Sequence, residues 1–254
     1  MTLLDAITLG AIQGITEFLP ISSSGHLVLG QALLGIVLPG NEFEVITHLG
    51  TLLSVFCIFW TDIIKLISGI RDIKTQKYIL YLTIATIPAV VVGLTSKSFI
   101  SVLFESIHLV SISLIFTGLI LFLSQKLIQR SETMTIKKGL LIGLSQAIAI
   151  IPGISRSGMT ISMGLALGIS GKEAAKFSFL LAIPAITGAG ILTLMDTSFS
   201  TMTIPASSLI AAFLSSFIIG YLSLKWLFGL LESGKFHLFG YYCILIGLLT
   251  LVII

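Results

Sequence analysis

Between Gln13 and His26 the chain sets an amide, a carboxylate, three hydroxyls and an imidazole into an otherwise apolar run. A charged side chain at the centre of a bilayer helix costs about 2.5–3.5 kcal/mol on insertion scales, so such a cluster marks a function and demands a partner. Gln13 and Glu17 are four apart and share one helix face. They read either as a polar strip in the membrane interface or as a divalent-cation or proton-handling site, two oxygen ligands being completed by water and a substrate phosphate. Ser22, Ser23 and Ser24 suit the cap of a helix running from about His26 to Leu34. Even as plain caps they aim a helix start, with its free amides and positive dipole end, at the loop, which suits an anion. His26 lies three residues after Ser23, in position to take a serine proton or to protonate a leaving group. His48, His108 and His237 read as structural or interfacial histidines, and Glu42 and Glu44 as acidic residues at a helix start.

The same pattern occurs twice. Gly10, Gln13, Ile21, Ser22, Ser24 and Gly25 recur 133 residues later as Gly143, Gln146, Ile154, Ser155, Ser157 and Gly158, and Pro20 recurs with a one-residue shift as Pro152. The second copy, Ser155-Arg156-Ser157-Gly158-Met159-Thr160, repeats the cap and adds a guanidinium suited to bidentate phosphate binding. Two helix starts and one arginine facing a shared cavity read as a phosphate cradle.

The elements that position these residues follow from composition. With 254 residues, 56% of them hydrophobic and 10% charged, and a mean hydropathy of +1.12, the chain is far too apolar for a water-soluble domain. It reads as an all-α polytopic membrane protein, since long apolar runs occur and period-two barrel strands do not. Residues 6–38 are broken at Pro20 and the serine tract into two pieces of about 13 residues, about 20 Å each, too short to span. They predict a re-entrant helix pair closed by a turn at Pro39-Gly40-Asn41, followed by spans at about 43–63, 78–96 and 107–128. Residues 140–170 repeat the broken pair around Pro152, followed by spans at about 177–195, 206–230 and 236–254. Residues 1–130 and 131–254 thus form two repeats within one integral domain. Three spans per half require the second copy to sit inverted, so that the two broken motifs meet near the midplane.

Charge placement agrees. If the 65–77 loop is cytoplasmic, every basic residue except Lys97 and Arg156 falls on that side, and both termini are extracytoplasmic. Asp5 and the missing basic n-region argue against a cleaved signal peptide. Cys57 and Cys243 lie in separate apolar runs and suggest neither a disulfide nor a thiolate metal site.

The motifs Gln-x-x-x-Glu-Phe-Leu-Pro-x-Ser-Ser-Ser-Gly-His and Pro-Gly-x-Ser-Arg-Ser-Gly-x-Thr, with Phe43-Glu44-Val45, Leu49-Gly50 and 177–184, resemble the undecaprenyl-diphosphatase (bacitracin-resistance) family over nearly the whole chain. The resemblance implies six full spans and two re-entrant pairs. It also implies an integral membrane phosphatase of the plasma membrane that removes the terminal phosphate of a C55 polyprenyl diphosphate on the extracytoplasmic side, recycling the carrier for cell-wall synthesis. Carried over by residue, the catalytic set is Ser23 as nucleophile, His26 as base and acid, Glu17 and Arg156. Ser22, Ser24, Gly25, Ser155, Ser157, Gly158 and Thr160 would bind substrate. A divalent cation, Mg2+ or Ca2+, would sit on Gln13 and Glu17, with Gln13 the neutral option of its position. His26 as nucleophile is the competing assignment. The expected partners are the polyprenyl diphosphate lipid, the membrane and a second copy of the chain as a homodimer, with no nucleic acid. Type 2 phosphatidic acid phosphatases share Ser-Gly-His and Ser-Arg elements, but their first basic motif and downstream His-x-x-x-Asp pair are absent here. A lipid flippase or secondary transporter is the alternative of another class, because inverted repeats with broken helices also build carriers.

Overall fold

The computed structural model describes residues 1–36, 38, 42–96, 102–104, 106–125, 132–196 and 204–253, and every regular element among them is a helix. In the first half these are α1 (Leu3–Phe18), α2 (Ser23–Leu34), α3 (Glu42–Ile58), α4 (Trp60–Ser68), α5 (Ile73–Thr95) and α6 (Ile107–Ser124). In the second they are α7 (Ile136–Ile148), α8 (Arg156–Ala166), α9 (Gly171–Asp196), α10 (Ala206–Glu232) and α11 (Leu238–Ile253). The expected turn at Pro39–Asn41, the loop around Lys97 and residues 126–131 of the second basic loop lie outside the described residues.

Both broken pairs are present as two short helices joined by a tight connection. Their starts are built alike. Thr2 accepts the Asp5 amide and the Asp5 carboxylate accepts the Thr2 amide, a capping box that opens α1, and Thr135 accepts the Lys138 amide at the start of α7. Thr2 and Thr135 stand at the same 133-residue offset as the motifs. Pro20 and Pro152 fall in the connections, where no intrahelical amide is lost.

The spans depart from expectation in three places. The predicted straight span at 43–63 breaks at Phe59, where α3 and α4 meet with a bend of 73°. Phe59 is held in the core against Phe179 and Phe228, while Asp62 and Lys65 on α4 cannot continue through hydrocarbon, and α4 buries none of its residues. The span predicted from 78 begins at Ile73, because Asp72 caps α5 by accepting the Thr75 amide at 3.0 Å, so Lys74 and Lys77 belong to the helix. The last helix has 16 residues, about 24 Å at the helical rise. Four helices (Ile73–Thr95, Ile107–Ser124, Gly171–Leu192 and Ala206–Glu232) are long and apolar enough to cross a bilayer, and the bent α3–α4 pair makes a fifth if counted as one span. Of the six expected full spans, four are thus matched by long apolar helices and a fifth by the bent pair, while the last falls on a helix of 16 residues.

Packing is exchanged between the halves. The first broken pair seats α1 on α10, and the second seats α7 on α5. The contacts are equivalent at the atomic level: a Cβ on Gly10 would stand 2.6 Å from the Ala212 carbonyl oxygen, and one on Gly143 would stand 2.5 Å from that of Ala85. Only glycine permits helix backbones this close, the small-residue contact typical of membrane bundles. Ala85 is the one fully buried residue of α5, with Tyr78, Tyr81 and Leu82 packed partly buried against the core. Serines and threonines add interhelical bonds, Ser54 donating to the Phe217 carbonyl at 2.7 Å and Ser215 to that of Ile7 at 2.8 Å. The loops read as one membrane face are also joined to one another, through Lys176–Asp62 (2.6 Å), Lys172–Glu232 (3.5 Å) and the Glu132 amide on the Gly168 carbonyl (2.9 Å).

Candidate active site

The two connections meet inside the bundle. The Ser157 hydroxyl donates to the Leu19 carbonyl at 3.3 Å, and a Cβ on Gly25 would lie 3.2 Å from the Cα of Gly153. Thr117 on α6 fixes the second connection: its hydroxyl donates to the Gly153 carbonyl (3.0 Å) and accepts the Ser155 amide (3.1 Å). The caps match, Ser22 accepting the Gly25 amide at 3.3 Å and Ser155 accepting the Gly158 amide at 3.1 Å. Each is paired to the serine two residues on, Ser22 to Ser24 at 3.3 Å and Ser155 to Ser157 at 3.2 Å. One asymmetry stands out. Ser22 has φ 69°, the one non-glycine residue with positive φ among those described, so the backbone before Ser23 is held in a strained, left-handed-type conformation.

Glu17, 6% exposed, is the hub. Its Oε2 accepts from Ser23 Oγ (2.8 Å) and Gln13 Nε2 (3.0 Å), with His48 Nε2 at 3.5 Å, and its Oε1 accepts from Arg156 Nη2 at 2.5 Å. The arginine also donates to the Ser178 carbonyl at 3.4 Å. The carboxylate expected to need a partner thus has a guanidinium from the other half, as an uncompensated buried charge requires.

The remaining predicted residues divide. Thr160 stands one turn after Arg156 but is committed to the Arg156 carbonyl (2.8 Å) and the Ser178 hydroxyl (2.7 Å), so it supports the arginine. His26 is turned away from the serine: Nδ1 donates to the Ser22 carbonyl at 2.8 Å, and Nε2 pairs with the Tyr242 hydroxyl at 2.9 Å beneath a stacked ring. The Ser23 proton faces Glu17 instead. Three more residues stand in or around this network: His48, read above as structural or interfacial, and Ser178 and Tyr242, which were not singled out. His48 and Ser178 fall within or beside the 43–50 and 177–184 motifs, a signal that was present, whereas nothing local marks Tyr242.

Among the described residues no three His, Cys, Asp or Glu side chains gather as a self-sufficient metal cage. A divalent cation here would draw on few protein ligands, as Mg2+ does when substrate phosphate completes its shell. Gln13 fits that role: it is fully buried and its Oε1 has no hydrogen-bond partner, although its amide touches Glu17. A buried orphan carbonyl oxygen costs about 1–3 kcal/mol unless something occupies it.

Fold and site together define a multi-pass helical membrane protein in which a buried carboxylate is met by a partly buried hydroxyl and by a guanidinium from the other half. The chain belongs to the family described as bacitracin resistance protein BacA, which matches residues 6–249. It is 40% identical to an undecaprenyl-diphosphatase of Methanosphaera stadtmanae, covering 100% of this chain and 98% of that protein. It is 40% identical to undecaprenyl-diphosphatase 2 of Bacillus thuringiensis (98% and 97%) and 38% identical to an undecaprenyl-diphosphatase of Desulforapulum autotrophicum (99% and 98%).

Proposed function

We propose that the chain is an undecaprenyl-diphosphatase, an integral membrane hydrolase that converts undecaprenyl diphosphate to the monophosphate and phosphate. Returning the carrier lipid to cell-wall synthesis in this way confers bacitracin resistance. The observation that carries the reading is Ser23 held by Glu17 while Arg156 closes on the other carboxylate oxygen. The flippase or transporter alternative finds no support among relatives named for hydrolysis.

In this mechanism Ser23 attacks the terminal phosphorus in line, the bridging oxygen departs with the lipid monophosphate, and water then releases phosphate from the serine. Phosphoryl transfer needs positioning and charge stabilisation more than a strong base. Ser23 passes its proton to the carboxylate it already faces. Arg156 and the first-turn amides of α2 and α8 receive the developing negative charge, with Ser22, Ser24, Gly25, Ser155, Ser157 and Gly158 shaping those turns and Thr160 bracing Arg156. His26 joins proton transfer when its bond to Tyr242 opens. Gln13 and Glu17 would hold a divalent cation, Mg2+ or Ca2+, and that cation would supply charge neutralisation for the diphosphate. The two halves lie inverted in the plasma membrane with both termini and the site's mouth extracytoplasmic, and two copies associate as a homodimer.

The test is phosphate release from undecaprenyl diphosphate by purified protein in detergent, together with trapping of the phosphoenzyme. An acid-stable, alkali-labile phosphoprotein absent in Ser23→Ala supports the assignment, and an acid-labile, alkali-stable one transfers the nucleophile's role to His26.

A further inference from the structure

His48 sits on α3, outside both broken motifs, yet its ring is ordered against the hub of the site. Nδ1 is 2.7 Å from the Glu44 carbonyl, which can only accept, so Nδ1 carries a proton. The lone pair of the neutral ring is then on Nε2, and Nε2 faces Glu17 Oε2 at 3.5 Å. That spacing lies beyond the usual N–H···O range of about 2.7–3.2 Å. Two ligands of a single cation, each about 2.0–2.3 Å from it, stand about 3.0–3.5 Å apart. An imidazole that donates its other N–H to a backbone carbonyl is in the form in which histidines bind metals.

Two further features converge here. Glu17 Oε2 already accepts from Gln13 and Ser23, so a protonated His48 would be a third donor crowding one oxygen. Gln13 Oε1 is buried without a hydrogen-bond partner, and an amide rotation, which exchanges oxygen and nitrogen, would present it where Nε2 now meets Glu17.

We propose that His48 completes the cation site as a nitrogen ligand beside Glu17 and Gln13. This rests on the cation reading given above and deepens it. An imidazole in the set moves preference away from Mg2+ and Ca2+, which favour oxygen, toward Mn2+ and other transition ions. His48 is then a selectivity determinant that neither broken motif contains.

The experiment uses the full-length protein in detergent with Mn2+ alone as probe, read by electron spin-echo modulation and by Mn2+ affinity. Wild type is expected to bind one Mn2+ per chain with an imidazole 14N modulation. His48→Gln is expected to lose that modulation, and its preference for Mn2+ over Mg2+ should fall by about tenfold or more. Bound Mn2+ lacking the 14N signal in wild type, or a signal persisting in His48→Gln, overturns the histidine ligand and leaves an oxygen-only cation site standing. Failure of the wild type to bind Mn2+ or Mg2+ at all overturns both.

Discussion

Arg156 and Glu17, 139 residues apart in sequence, meet at 2.5 Å inside the bundle, their side chains 16% and 5% exposed. Each half of the chain supplies one charge that could not stay buried alone. Breaking such a pair from one side costs about 3–5 kcal/mol, because the surviving charge is left uncompensated. Arg156→Ala should therefore lower both thermal stability and activity, the latter by about 10²–10³-fold as for loss of an oxyanion donor. The double variant Glu17→Gln/Arg156→Ala should regain much of the stability and none of the activity. Melting in detergent and phosphate release measured on all four proteins complete the cycle, and additive losses of stability would count against direct coupling.

Ser22 combines a cap with φ 69°. Ser22→Ala loses the hydroxyl that accepts the Gly25 amide and should destabilise by about 1 kcal/mol, whereas Ser22→Gly accepts the backbone conformation freely and should cost only a few tenths, about 0.3 kcal/mol. Unfolding midpoints compare the two. Equal losses would mean that the backbone conformation at this residue carries no strain.

Helix approach at Gly10 and Gly143 leaves no room for a methyl group. Gly143→Ala should destabilise by about 1–3 kcal/mol through forced backbone separation, while Gly93→Ala, with nothing within 4 Å of its Cβ, should be neutral or slightly stabilising. Thermal unfolding of the two variants side by side checks this.

Tyr242→Phe removes the hydroxyl that pairs with His26 while leaving the stacked ring. If His26 must leave this contact to serve in proton transfer, the variant should keep or raise turnover, changing stability by about 1 kcal/mol. A hundredfold loss of turnover would show that the hydroxyl itself takes part in the reaction.

Much of this site was readable from residue order. Gln13, Glu17, Ser23 and Arg156 stand in motifs where polar groups interrupt apolar runs, and the 133-residue echo foretold that the two connections would be paired. His48 was read as structural or interfacial, and its meeting with Glu17 depends on how α3 lies beside α1, which no local pattern encodes. Tyr242 reaches His26 from 216 residues away, and its neighbours look like any apolar helix. The hydrogen bond from Ser23 to Glu17, where proximity had suggested His26, is a matter of side-chain direction at a helix start. The bend at Phe59 escaped notice because the apolar run continues through it, although Asp62 and Lys65 close behind were the available warning. The early start of α5 rested on Asp72, a capping residue hidden in a loop read for its charge alone.

The exchanged packing of α1 on α10 and α7 on α5 also bears on biosynthesis. A chain emerging from the ribosome makes Glu17 and Ser23 early, but the helix on which α1 rests is finished only at Glu232. A message truncated anywhere upstream of α10 is therefore expected to yield a membrane fragment in which α1 and its carboxylate lack the surface they rest on.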